Sequence, residues 1–300
     1  MQSLKFYYKN PRKIISGFVF NLNFLFPDKL YLKIMFWADM GYKLNLNHPK
    51  TYNEKLQWLK LYDRQNKYSD LVDKILVKDV VANIVGEEYI IPTLAIWDNL
   101  DDINIDCLPD QFVLKVNNGG GNNGVIICTD KSTFNLEIAK DKLRIALKAD
   151  IYKTHREWPY KNVKPRVFAE KYMVDNVETE LKDYKFFCFD GEVKALFIAS
   201  GRNKGGHGTR FDYYDNNFNF LDLVQSYPNS DEPAIIPPAS FELMKDIATK
   251  LSKDFRHLRV DLYNINGHIY FGELTFYHYS GLQPFYPSKW DRIFGEWLTL

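Results

Sequence analysis

The sequence predicts an α+β fold, and three observations carry that prediction. The first third is patterned as helix; near residue 110 the texture changes to short β-branched and aromatic runs; and turn dipeptides close those runs into hairpins with helices between them, unlike a plain parallel doubly wound sheet. At 300 residues the chain is long enough for two or three compact units with ample core. Apolar residues at 46% and charged residues at 26% are ordinary globular usage, which excludes a disordered chain.

Residues 1–105 read mainly as helices. Thr51 followed by Glu54 has the spacing of a capping box, and Leu56 and Leu59, then Leu71, Val72, Ile75 and Leu76, recur at helical spacing until Pro92 ends the region. The apolar stretch from Ile14 to Phe26 is about half the length that spans a bilayer and lacks a small-residue cleavage site, so a cytoplasmic protein is expected. Its Phe18, Phe20, Phe24 and Phe26 are expected to pack on their own domain, with loose peripheral membrane contact as the other reading.

Strands are expected over 111–117, 124–129, 165–173, 183–189, 192–199, 258–265 and 268–276, and helices over about 132–150 and 239–254. Boundaries near 105 and 175 divide the chain into 1–105, 106–173 and 174–300. A formal charge of +1 supplies no broad field, which argues against nucleic acid and leaves charge-based recognition to local clusters. Cys107, Cys128 and Cys188 are odd in number, far apart and without metal-ligand spacing, as expected of buried thiols in a reducing compartment.

Three hairpins hold the candidate chemistry. In FVLKVNNGGGNNGVIICTD, residues 112–130, both flanks read as strands, so the glycine run connects a hairpin. Walker and dinucleotide loops open helices, and a kinase places its lysine after the loop with HRD and DFG motifs that this chain lacks, so all three are excluded. What remains is a bare backbone that can approach phosphate oxygens with Lys115 beside it, or simply a flexible surface hairpin.

In DYKFFCFDGEVKALFI, a two-residue Asp190-Gly191 loop pairs Lys185 with Leu196 and Phe187 with Lys194. Asp183, Lys185 and Lys194 then share a face that either surrounds a nucleotide or meets solvent. In LRVDLYNINGHIYFGELTF, a plain two-residue Asn266-Gly267 turn would send Asp261 and Glu273 to opposite faces. A three-residue loop with Gly267 left-handed instead pairs Arg259 with Glu273 and gathers Arg259, Asp261, Glu273 and Thr275. Two carboxylates beside an arginine suit a Mg²⁺ ion shared with phosphates, or form a surface ion pair.

The order of these features, a lysine strand, glycine hairpin, helix, strand ending in Glu, lysine hairpin and Arg-x-Asp…Glu hairpin, resembles the ATP-grasp superfamily. More narrowly, TYNEKLQWLKLYD, DKILVKDVVANIVGEEYIIP, LPDQFVLKVNNGGGNNG and VDLYNINGHIYFGELTFYHYSG resemble its TupA-like branch, found in surface-polysaccharide gene sets, from about residue 50 to the C-terminus.

The resemblance implies two α+β lobes clasping ATP behind a helix-rich N-terminal region. It implies that Lys115 and Lys185 hold ATP phosphates and that the hairpin with Gly119, Gly120, Gly121 and Gly124 closes over them. Glu170 would accept from the adenine amino group, the backbone of Lys171, Tyr172 and Met173 would read the ring edge, and Asp183 or Glu180 would bind ribose. Asp261 and Glu273 would carry Mg²⁺, and Arg259 would stabilise the phosphoryl group in flight. Thr275 stands where many relatives have a metal-binding Asn, a departure that weakens one metal site.

In the loop GRNKGGHGTRFD, Arg202 and Arg210 are candidates to grip a carboxylate or sugar phosphate, and His207 to take a proton from an amine. The implied activity is ADP-forming ligation of an amino acid or small amine to a uronic acid of a surface-polysaccharide precursor through an acyl phosphate. A peptide-forming ligase, a glycosyltransferase and, given the departure at Thr275, a non-catalytic nucleotide-binding partner are the alternatives.

Overall fold

The computed structural model describes residues 11–119, 124–176, 180–201, 208–234 and 236–300. Two helices come first, α1 (Arg12–Asn21) and α2 (Asp28–Met40), packed around Val19, Tyr31, Leu32, Met35 and Phe36. Helix α3 (Tyr52–Tyr62) begins at the expected capping box: the Thr51 hydroxyl accepts the Glu54 N–H at 3.3 Å, and the Glu54 carboxylate accepts the Thr51 N–H at 3.1 Å. Two shorter helices follow, α4 (Tyr68–Val72) and α5 (Leu76–Val85).

Two antiparallel sheets make up the rest. The four-stranded sheet runs β1 (Thr93–Trp97), β4 (Val167–Lys171), β2 (Phe112–Val116), β3 (Val125–Cys128). Leu143 and Ala146 of α6 (Leu136–Leu147) pack with Phe112, Leu114 and Val116 in its core, and α7 (Ile151–His155) leads back to β4.

The six-stranded sheet runs β10 (His268–Thr275), β9 (His257–Ile265), β5 (Asp183–Phe189), β6 (Glu192–Ser200), β7 (Arg210–Asp215), β8 (Phe220–Leu221). Met244, Ile247 and Leu251 of α8 (Phe241–Ser252) join its core, and α9 (Lys289–Trp297) seats Phe294 against Tyr52 of α3. Because every described strand pairing is antiparallel, the class is α+β.

All seven expected strands and both expected helices are present. Strands β1, β7 and β8 and helix α9 were not anticipated: β1 is a half-exposed edge strand with little apolar alternation, and β7 follows a glycine-rich loop that masks it.

Two expectations are corrected. Cys107 is exposed, because it lies in an irregular turn outside both sheets, whereas Cys128 and Cys188 are buried and all three are free thiols. Phe18, Phe20 and Phe24 do not pack inward: α1 buries Ser16 and Val19 and leaves Phe18 and Phe20 exposed, Phe24 is exposed in the short turn that follows, and only Phe26 is partly covered.

Candidate active site

Both site hairpins of the six-stranded sheet turn in the same way, and neither has the register expected. Asp190-Gly191 and Asn266-Gly267 are two-residue loops with positive φ at both positions, 49° and 80° in the first and 52° and 80° in the second, a geometry matched to strand twist. Each returning strand then carries one extra residue.

In β6 the pairing passes from Cys188 with Val193 to Phe187 with Ala195, so Lys194 bulges out. Lys185 therefore faces Phe197, and Lys194 pairs with Glu192 away from the site, correcting the shared Lys185–Lys194 face. In β10 the pairing passes from Phe271 with Leu262 to Glu273 with Asp261, so the bulge is Gly272 and the three-residue loop is unnecessary. A Cβ at Gly272 would stand 3.0 Å from the Asp261 carbonyl, the close approach that a glycine bulge permits.

The two bulges align the chemistry into rows. Phe197, Lys185, Asp261 and Glu273 lie side by side across β6, β5, β9 and β10; Ala195, Phe187, Arg259 and Thr275 form the next row on the same face. Arg259 donates from Nε to Asp261 Oδ1 at 2.7 Å, and from NH2 to Asp261 Oδ2 at 2.8 Å, Glu273 Oε1 at 3.1 Å and Thr275 Oγ1 at 2.9 Å. Lys185 pairs with Asp183 Oδ2 at 2.7 Å and also with Asp261.

Burial pushes the Asp261 carboxyl up, while Arg259 and Lys185 pull it the other way. Glu273 is different: burial raises it, but Lys74, Lys185 and Arg259 outweigh that and hold it down to about 2. For Arg259 burial acts to lower the pKa, and Asp261, Glu273 and Asp183 override it, so the guanidinium stays charged.

A chain of neutral groups fixes Arg259 from behind. Arginine has only donors, so its NH1 contact at 2.7 Å makes His278 Nδ1 the acceptor, and Nε2–H then donates to Gln225 Oε1 at 2.8 Å. Gln225 in turn donates to the Gln283 carbonyl at 2.9 Å. Burial, reinforced by Arg259, holds the His278 pKa well below its usual value, which keeps the ring neutral and able to accept.

On the four-stranded sheet, Glu170 is buried, with one carboxylate oxygen on Lys115 and the other on Lys78 of α5. Lys78 also donates to the Ile91 carbonyl at 2.9 Å and the Thr93 hydroxyl at 2.8 Å. Burial raises the Glu170 pKa and the two lysines bring it down below its usual value, so the carboxylate is charged. Its oxygens face lysines here rather than the open segment expected for adenine, and the Lys171 N–H is bound to the Pro92 carbonyl at 3.0 Å. Tyr172 and Met173 are half-buried beyond it.

Sequence reasoning missed Lys74, Lys78, Glu157 and His278, whose partners are distant in the chain. Lys74 Nζ is 3.6 Å from Glu273 Oε2 and also donates to the Gly119 carbonyl, so one side chain touches both the glycine hairpin and the carboxylate row. Its backbone is anchored too: Asp73 accepts from Asn117 Nδ2 at 2.7 Å and from Arg166 at 3.2 Å, and the Lys74 N–H reaches the Asn117 carbonyl at 3.2 Å. The DK pair at 73–74, just before the apolar helix, was the one available signal.

Glu157 meets the Ser280 hydroxyl, and buried Lys60 donates to the Ser280 carbonyl at 2.7 Å. Tyr279, Ser280 and Gly281 are all left-handed, with φ of 47°, 54° and 60°. Burial pushes the Glu157 carboxyl up and Lys60 down to about 8, while the attraction between the two charges acts against both shifts.

Gly124 lies tightly over Val116, where a Cβ would stand 2.3 Å from Cγ2, and Arg210 opens β7 opposite Ser200. Gly120, Gly121, Arg202 and His207 lie outside the described residues. Among the described residues no group of three or more His, Cys, Asp or Glu side chains is placed to hold a metal by itself. Asp261 and Glu273 opposite each other fit the other mode, in which one or two carboxylates bind Mg²⁺ together with phosphates.

The chain is similar to several solved enzymes. It is 18% identical to D-alanine–D-alanine ligase from Helicobacter pylori, covering 82% of this chain and 69% of that one with a TM-score of 0.42. For the Bacillus anthracis D-alanine–D-alanine ligase the values are 20%, 68%, 56% and 0.39, and for the ATP-grasp ligase PsnB complexed with minimal precursor, Mg and ADP they are 11%, 75%, 57% and 0.40. The chain thus spans little more than half the length of the latter two. A search of curated proteins finds no match. The model of TupA-like ATP-grasp proteins matches residues 54–299, nearly all of both sheets and the helices that serve them, and the chain therefore belongs to the TupA-like ATP-grasp family, with its α+β fold.

Proposed function

We propose that this protein is an ATP-dependent carboxylate–amine ligase. The observation that carries the reading is the row Lys185, Asp261, Glu273 with Arg259 beneath it, tied by Lys74 to Gly119 at the base of the glycine hairpin. ATP is proposed to lie between the sheets, with Lys115, Lys78 and Lys185 on its phosphates and Gly119 to Gly124 covering them. Adenine would meet the backbone of Tyr172 and Met173. Asp183 spends its carboxylate on Lys185, which leaves the half-buried Glu180, acceptor of the Gly201 N–H, as the better ribose partner.

Mg²⁺ would be held by Glu273 and Asp261 and would neutralise charge on the transferred phosphoryl group, with Thr275 supporting Glu273. Arg259, locked by Asp261 and by neutral His278, presents a fixed positive charge where negative charge develops and needs no reorganisation. The γ-phosphoryl group passes to a substrate carboxylate oxygen and ADP leaves; an amine then attacks the acyl carbon, phosphate departs and an amide forms. Glu157 beside Lys60 and Ser280 is proposed to take the amine's proton. The carboxylate is proposed to be that of a uronic acid in a surface-polysaccharide precursor, gripped from the Arg210 end of the sheet, and the amine an amino acid or small amino alcohol.

Incubation with Mg·ATP and a panel of uronic acids and amines, read by ADP release and product mass, tests this reading. AMP and pyrophosphate in place of ADP would overturn the acyl phosphate route.

A further inference from the structure

We propose that the N-terminal helical pair is a docking surface for an anionic lipid bilayer. Helix α1 buries only Ser16 and Val19, while Ile14, Ile15 and Phe18, which share one side of the helix, are 57%, 48% and 63% exposed. A helix that serves only its own domain turns its apolar stripe inward. Exposed apolar side chains follow in the chain as well, Phe24 and Leu25 at 74% and 62% in the short turn after α1 and Leu30 on α2. Single exposed apolar side chains are ordinary, but six on two adjoining helices and the turn between them point to an interaction site.

Charge selects the occupant. The first fifty residues hold eight Lys and Arg against two Asp, although the whole chain carries only +1. Both acids are spent internally, Asp28 on Arg64 and Arg156 and Asp39 on Lys13. Lys29 and Lys33 stand exposed on either side of Leu30 in the sequence of α2. Apolar side chains seated at the headgroup boundary with lysines among acidic headgroups is the interfacial mode of attachment. A second copy of the chain would bring like charge to the same face. No helix among the described residues is long and apolar enough to cross a membrane, so the contact is with the bilayer surface.

Sedimentation of the full chain with vesicles of phosphatidylcholine alone, or mixed with phosphatidylglycerol, at low and high salt, tests the proposal. Binding is expected to the mixed vesicles, falling about tenfold or more in Phe18→Ser/Phe24→Ser and by a similar factor in Lys29→Glu/Lys33→Glu or at high salt. These side chains are exposed, so the melting temperature should be unchanged. The proposal is overturned by equal binding to both lipid compositions, by no binding to either, or by a dimer in solution that Phe18→Ser/Phe24→Ser dissociates.

Discussion

The two sheets present their charges in opposite ways. On the four-stranded sheet a single carboxylate, Glu170, sits between Lys115 and Lys78, which leaves a surplus positive charge. On the six-stranded sheet Asp183, Asp261 and Glu273 face Lys185, Arg259 and Lys74, and the set is balanced. A surplus cation attracts an anion by itself. A balanced network instead holds fixed geometry and takes up an anion best when a cation arrives with it, as a nucleotide does with Mg²⁺. The contrast predicts that damage to the first sheet weakens binding, and damage to the second stops chemistry or destabilises the fold.

The largest effect is expected at Arg259. Arg259→Met leaves Asp261 buried without its main partner, which should cost about 3–5 kcal/mol and remove turnover. Denaturant unfolding and ADP release measure the two, and a fully stable variant would contradict the balanced network. Glu273→Ala should also abolish turnover, yet cost no more than about 1 kcal/mol because a third of its side chain is open to solvent. Near-normal ADP release from that variant would sink the metal assignment.

Gly272→Val sharpens the comparison without touching a charge. The added side chain presses on the Asp261 carbonyl and should lower turnover roughly a hundredfold by misplacing the row, while most of the stability survives. Unchanged activity would mean that the bulge is dispensable. On the other sheet, Lys115→Met and Lys78→Met should each raise the KM for ATP by about tenfold with less effect on kcat. The double variant should fall short of the product, since both lysines share Glu170.

A further expected effect, spread over the molecule and not confined to one sheet, is acid lability. Burial holds His257 down to about 3 and His155 to about 4, and His278 lies well below its usual range. Their folded pKa values lie below the unfolded 6.5, so the stability they confer is present above pH 6.5 and is lost as pH falls. Between about pH 6.5 and 5 each should remove about 1.4 kcal/mol per pH unit at most, because only the unfolded chain takes up the protons. A flat melting temperature across that window would refute the neutral, buried assignment of His278.

Much of this architecture was legible because it is local. A capping box needs only Thr51 and Glu54; Asp190-Gly191 and Asn266-Gly267 specify tight turns through backbone conformations that Gly, Asn and Asp tolerate; and alternation along each strand shows which side chains share a face. Those signals, read in order, were enough to place Lys115, Lys185, Arg259, Asp261 and Glu273 among the candidates. The register of neither site hairpin was legible, since a bulge at Lys194 or Gly272 depends on what packs against the strand beyond the turn.

The sequence by itself determined the α+β class, the hairpins and the family, because propensity, turn chemistry and motif order are properties of neighbouring residues. Only the tertiary structure decided that Lys74 joins the glycine hairpin to Glu273, that His278 braces Arg259, that Glu170 is clamped by two lysines, and that α1 faces outward. Each of these is settled by partners tens to hundreds of residues away, where burial and charge act through space and leave no local pattern to read.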